Sequence, residues 1–148
     1  MRLVLQRVDS AKVTVDGEVT GAIGLGLLIF AGFGRGDSPE LLPFYAKKVS
    51  ELRIFSDAGG KINLSLRDIS GSILLVSQFT LYANCGRGRR PDFTHAADPE
   101  LARSLYEGLI RQFKELDLNM QTGIFAADMS VELVNDGPVT IILDSENN

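Results

Sequence analysis

Short apolar runs punctuated by tight turns, with two helix signatures set among them, predict an α+β fold of curved antiparallel β-sheets, barrel- or sandwich-like, with two helices packed on one face. Three observations carry this. Asp16-Gly17 between two apolar runs is hairpin chemistry, which pairs neighbouring strands antiparallel. Ser38-Pro39-Glu40 and Asp98-Pro99-Glu100 are both helix starts: a capping side chain, a proline in the first turn, and an acid near the positive end of the helix dipole. Each helix is flanked by strands. A chain of 148 residues fits one domain, residues 1–148.

In order, residues 2–8 and 11–15 read as strands separated by Asp9-Ser10. Residues 19–23 return antiparallel after the Asp-Gly turn, and residues 27–33 form a buried strand by apolar density. Gly32, Gly34 and Gly36 follow without the spacing or the Gly-Lys-Ser/Thr ending of a phosphate loop. Leu41, Leu42, Tyr45, Val49 and Leu52 mark the core stripe of the first helix. Residues 53–56 and 62–64 are short strands around the turn Asp57-Ala58-Gly59-Gly60. Leu101, Leu105, Leu109, Phe113 and Leu116 mark the second helix, and residues 119–125, 129–134 and 139–143 are closing strands. Residues 145–148 read as a frayed tail.

Composition narrows the function classes. With 45% hydrophobic and 23% charged residues the chain is globular. No apolar run nears the ~20 residues of a membrane span, and the N-terminus has no signal-like apolar core, so a cytoplasmic protein without membrane contact is expected. A net charge of −4 argues against broad charge-driven nucleic-acid binding, although Arg87-Gly88-Arg89-Arg90 forms a dense local basic cluster. One cysteine, Cys85, allows no internal disulfide, and with one histidine, His95, the chain is too poor in ligands for a typical structural zinc site. No metal and no cofactor is expected.

The stretch on which the rest is organised is residues 73–83, ILLVSQFTLYA. Ile73-Leu74-Leu75-Val76 suits a strand buried on both faces. The chain then turns polar without a turn residue. Continued as a strand, it places Gln78, Thr80 and Tyr82 on one face and Ser77, Phe79 and Leu81 on the other. The second stretch is VNDGPVT at 134–140, strong turn chemistry between two apolar runs.

A hydrolase normally shows a nucleophile, a base and a group that orients the base. Ser77 and Thr80 are candidate nucleophiles, but the single histidine lies in a polar loop and no nucleophile elbow surrounds Ser77. Cys85 has no base near it in sequence. Asp128 and Glu132 read as solvated charges rather than a catalytic pair.

SQFTLY at 77–82 and NDGPVT at 135–140, with Gln121-Thr122-Gly123-Ile124-Phe125 and Ala126-Ala127-Asp128-Met129 between them, resemble the D-aminoacyl-tRNA deacylase family. Leu5-Gln6-Arg7-Val8, Arg53-Ile54-Phe55-Ser56-Asp57 and the total length match as well, so the resemblance spans essentially the whole chain. It implies an esterase that frees tRNA from a D-amino acid, and also from glycine, as a homodimer with cross-subunit active sites. Matched by position, Ser77, Gln78, Phe79 and Thr80 line the aminoacyl end. Phe125, Ala127, Met129 and Thr140 fall at pocket positions. Gly137-Pro138 corresponds to a Gly-cisPro motif that reaches into the partner subunit's site, and Arg7 to a side chain that braces it. Residue 126 is alanine where the family pattern leads one to expect glycine.

The chemistry is compatible with so few catalytic side chains. An aminoacyl ester is already activated, and hydrogen-bond donors aimed at the developing oxyanion are each worth about 10²–10³ in rate. The backbone N–H groups around Gln78, Phe79 and Thr80 are candidates. Two competing classes are a non-enzymatic nucleic-acid-binding module using Arg87, Arg89 and Arg90, and a small-molecule esterase that needs no tRNA.

Overall fold

The computed structural model describes residues 1–86 and 88–147. Its main sheet runs β1 (Arg2–Val15), β2 (Glu18–Ile23) and β3 (Gly26–Gly32), then β6 (Ser72–Ser77), β7 (Asn119–Thr122) and β8 (Ser130–Asp144). Helix α1 (Leu41–Glu51) and a two-stranded ribbon of β4 (Phe55–Ser56) and β5 (Ile62–Leu64) fill the connection from β3 to β6; helix α2 (Pro99–Glu115) lies between β6 and β7. The order β2-β1-β3-β6-β7, with β8 on the far side of β1, curls into a nearly closed barrel-like sheet. Gly21 of β2 sits so close to β7 that a Cβ there would meet the Thr122 carbonyl oxygen at 2.7 Å.

The α+β class is as expected, but the sheet is mixed. β1 pairs antiparallel with β2, β3 and β8, whereas β3–β6 and β6–β7 are parallel. The reason is connectivity. Each parallel pair is joined by a long crossover containing a helix, and only a two-residue hairpin enforces the antiparallel sense.

The curled sheet has two cores. Leu3, Leu5, Leu27, Ile29, Ile73 and Leu75 pack against α1 and α2 through Leu42, Tyr45, Val49, Leu105, Leu109 and Phe113. Val8, Ala11, Val13, Leu28, Leu74 and Val76 fill the other side. Residues 73–76 therefore do alternate between two buried faces. At about 25 cal/mol per Å² of apolar surface, each buried leucine or isoleucine here contributes roughly 1.5–3 kcal/mol.

Several boundaries move. β1 is one strand and not two, because it changes partner at Asp9-Ser10: β3 flanks it through Val8 and β2 from Ala11. β8 is likewise one strand. Gln6 pairs with Thr140 and Val8 with Asn135, so β8 carries Asp136–Val139 across a gap in which β1 has only Arg7. The Asn-Asp-Gly-Pro signal thus produces an outward excursion within a strand and not a hairpin turn. Helix α1 starts at Leu41 with Glu40 at its N-cap and no capping side chain, so Ser38-Pro39 forms the turn before it. The second start is as expected: the Asp98 carboxylate accepts from the Leu101 N–H at 3.0 Å and Pro99 opens α2.

The largest correction falls on residues 78–83. The strand ends at Ser77 and residues Phe79–Tyr82 form a 3₁₀ turn, closed by Leu81 N–H to the Gln78 carbonyl and Ala83 N–H to the Thr80 carbonyl. Gln78, Thr80 and Tyr82 share no strand face. The cause is lateral. Tyr82 turns inward and its ring covers Gly34, where a Cβ would stand 2.7 Å from the ring. Its hydroxyl donates to the Asp37 carboxylate at 3.4 Å, and Asp37 also accepts the Gly34 N–H at 2.6 Å. Burial and the neighbouring Asp37 push the Tyr82 phenol well above its ordinary pKa, so it stays a neutral donor. Among the described residues no helix is long and apolar enough to cross a membrane.

Candidate active site

Where the parallel pair β3–β6 ends, the sheet leaves a cavity of about 500 Å³. Ala31, Phe33, Val76, Ser77, Gln78 and Phe79 form its sheet side. Pro99 and Ala102, from the first turns of α2, close one flank, and the segment Phe125 to Met129 closes the other. Ligand sites of α/β type favour such carboxyl ends of parallel strands, where ladder groups run out of partners.

Gln78 is tied down by its N–H to the Ala31 carbonyl at 2.8 Å. After it, the N–H groups of Phe79 and Thr80 open the 3₁₀ turn, and no acceptor for either exists among the described residues. Helix-start donors of this kind need a partner from outside the helix. The Gln78 side-chain amide donates to the Thr80 hydroxyl. Phe79 is 57% exposed and rests edge-on against Phe93, ring centroids 5.1 Å apart.

The opposite wall is built by a sharp local conformation. Ala126 has φ +64, the left-handed region that glycine enters without cost. The position where glycine is expected is thus one whose backbone favours it, and alanine carries the strain there. The Phe125 ring is held between Tyr106, centroids 5.7 Å apart, and the Arg103 guanidinium, 4.7 Å above the ring centroid. Tyr106 is fixed in turn by donating its hydroxyl to the Leu75 carbonyl at 2.8 Å, and burial raises its pKa. Neither buried tyrosine is available as a base.

Of the residues singled out from the sequence, Ser77, Gln78, Phe79, Phe125, Ala127 and Met129 meet in this cavity. Thr80 sits beside it, exposed, with Gln78 as its polar partner. Arg7, Gly137, Pro138 and Thr140 do not reach the cavity of their own chain; they lie together on β1 and β8. Thr140 shares a hydrogen bond with Gln6 at 3.4 Å. The Gly137–Pro138 bond is cis, and both residues are exposed. Arg7 is 6% exposed and grips the excursion from below. Its Nε donates to the Asp136 carbonyl at 3.0 Å and meets the Asp136 carboxylate at 2.9 Å, while Nη1 donates to the Ile54 carbonyl at 2.6 Å. It therefore braces the residue before Gly137 rather than the Gly-Pro carbonyls themselves.

His95 lies elsewhere. It lines a separate recess with Arg2, Tyr82, Asn84, Cys85 and Glu146 that shares no residue with the cavity. Glu132 is paired with Lys12 at 2.9 Å on the outer strand face. Among the described residues no group of three or more His, Cys, Asp and Glu side chains gathers as a metal site would require. Arg89 and Arg90 are exposed, and Arg87 lies outside the described residues.

Comparison with known proteins identifies the family. A family model described as D-Tyr-tRNA(Tyr) deacylase matches residues 4–144. The chain belongs to that family. A D-aminoacyl-tRNA deacylase of Thermotoga petrophila is 54% identical over 145 residues, covering 98% of this chain and 97% of its own. One from Desulfitobacterium hafniense is 51% identical over 148 residues, covering 100% and 99%. Among solved structures, a c-Myc DNA Unwinding Element Binding Protein superposes with TM-score 0.92 at 40% identity, covering 98% of this chain and 99% of its own. A probable eukaryotic D-amino acid tRNA deacylase shares the fold, with TM-score 0.81 at 18% identity, covering 96% and 97%. The chain is thus an enzyme of the D-aminoacyl-tRNA deacylase class, a carboxylic ester hydrolase, and the alternative of a non-enzymatic nucleic-acid-binding module is not favoured.

Sequence reasoning missed the cavity's α2 side. Pro99, Ala102, Arg103 and Tyr106 were legible only as helix residues, because nothing in a helical stripe says which strand end it will face.

Proposed function

We propose that this deacylase hydrolyses the ester of D-aminoacyl-tRNA, and of glycyl-tRNA, in the cavity at the end of β6, and that a second copy completes the site with its Gly137-Pro138. The observation that carries the reading is the pair of unsatisfied N–H groups at Phe79 and Thr80 on the rim of a cavity lined otherwise by Ser77, Gln78 and apolar side chains. Those two donors stabilise the negative charge that develops on the ester carbonyl oxygen when water attacks. The ester is activated, and the neighbouring ribose hydroxyl assists the water, so positioning and oxyanion stabilisation supply most of the acceleration.

Handedness is read by main chain. Carbonyl groups of the exposed Gly137-Pro138 of a second copy, set close to the substrate Cα, leave room for hydrogen but not for a side chain. A D-residue directs its side chain away, glycine has none, and every L-residue clashes. Exposure of the excursion, its absence from its own chain's cavity and the buried Arg7 beneath it support this reading. The substrate is D-aminoacyl-tRNA, the assembly a homodimer with cross-subunit sites, and no step calls for a metal or a cofactor.

Deacylation of matched D- and L-tyrosyl-tRNA tests it: the D-form is hydrolysed and the L-form spared, whereas equal rates overturn it. Equal turnover of D-tyrosine methyl ester and D-tyrosyl-tRNA would instead favour a small-molecule esterase. Thr80 has only Gln78 as a polar side-chain partner and no base beside it. Thr80→Ala accordingly keeps activity within about tenfold of the wild type, and no acyl-enzyme accumulates in a quenched reaction. A dead variant, or a trapped adduct by mass spectrometry, would make Thr80 a nucleophile.

A further inference from the structure

We infer that Arg103 is a binding residue for a backbone phosphate of the tRNA 3′ end; this rests on the deacylase reading above. Arg103 is on the second turn of α2, the helix whose Pro99 and Ala102 line the cavity. Its guanidinium lies 4.7 Å from the centroid of Phe125, itself a lining residue. The side chain is exposed and forms no ion pair with any described residue. That is unexpected on this helix. Glu100 and Glu107 stand at i−3 and i+4, the spacings at which an arginine normally finds a carboxylate. Arg103 leaves both and stacks on the Phe125 ring.

The consequence is a planar cation set over the ring, with its five N–H donors unspent among the described residues. Lysine has no such fork; an arginine positioned in this way suits the paired oxygens of a phosphate. The charge is also locally distinct. Among the lining residues of the cavity the only ionisable side chain is Asp128, and the chain as a whole carries a net charge of −4. A cation at this rim repels nothing the ester needs and attracts what distinguishes a tRNA ester from a free amino-acid ester, its phosphodiester chain.

The experiment compares two substrates of the full-length protein: D-tyrosyl-tRNA, and D-tyrosyl-adenosine, which has the same ester and ribose but no phosphate. For Arg103→Ala the ratio of kcat/KM between them falls about tenfold, carried by KM of the tRNA substrate. The slope of log kcat/KM against log salt becomes shallower by about 0.7, the loss of one single-strand phosphate contact. Arg103→Gln, which keeps a long polar stem over Phe125, gives the same ratio, while Arg103→Lys recovers part of it. A ratio unchanged in both neutral variants overturns the assignment, as does an equal loss on both substrates, which would mark Arg103 as a prop for Phe125. Wild-type protein that hydrolyses neither substrate overturns the deacylase reading itself, before any variant is compared.

Discussion

Replacing Gly137 with alanine is expected to lower kcat/KM for D-tyrosyl-tRNA by about 10², the scale at which a 1 Å misplacement acts on a reaction. Gly137 has φ +130, a conformation that L-residues avoid. A Cβ there would stand 2.9 Å from the Val139 nitrogen, 3.0 Å from its Cγ2 and 3.2 Å from the Arg7 guanidinium. Two of these neighbours cannot yield: one is backbone, and the other is a cation fixed by three further contacts. The excursion must therefore shift. It is exposed and tied only at its base, so the fold survives and the melting temperature falls by a few degrees at most. The D-to-L ratio falls with the rate, because a displaced main chain no longer excludes the L side chain. Measured kcat/KM for D- and L-tyrosyl-tRNA decides this; a variant with wild-type rate and wild-type handedness would remove Gly137-Pro138 from the proposed site.

How far the sequence reached follows from which forces it displays. The core stripes of α1 and α2 and the double burial of residues 73–76 were legible because periodicity states burial directly. The Asp98-Pro99-Glu100 start was legible because capping is local. The 3₁₀ turn at Phe79–Tyr82 was not, since it depends on where Tyr82 finds Gly34 and Asp37, both remote in sequence. The same holds for β8: Asn-Asp-Gly-Pro is read as a turn from local chemistry, and only the pairing of β1 along both sides of it shows a strand carried past an outlying loop. The cavity residues came from the motif and not from periodicity. The resemblance already assigned the motif's two halves to different copies, and in one chain Gly137-Pro138 indeed lies outside the cavity lined by Ser77 to Phe79.

Arg7 links those two levels, and its removal carries the largest expected cost to stability. Arg7→Ala is expected to destabilise the protein by about 3–5 kcal/mol, the range for an interaction broken inside a buried polar network. The guanidinium is only 6% exposed and reaches two carbonyl oxygens, those of Asp136 and Ile54, from inside the helix-facing core. Both would lose their donor, and Ile54 is itself nearly buried, so water replaces little of what is lost. The ion pair with Asp136 matters less. That carboxylate is 40% exposed and its attraction is largely screened, so Asp136→Asn costs below about 1 kcal/mol. Arg7→Lys keeps the charge but not the fork that spans two carbonyls, and falls between the two. For a domain of this size each kcal/mol moves the melting temperature by roughly 2–4 °C, so calorimetry separates the three variants. If Asp136→Asn proved as damaging as Arg7→Ala, the grip would be ionic and the excursion would loosen with salt. If instead the backbone grip dominates, stability stays insensitive to salt while Arg7→Lys already lowers D-tyrosyl-tRNA hydrolysis, because the same two hydrogen bonds that hold the fold also fix the height of Gly137.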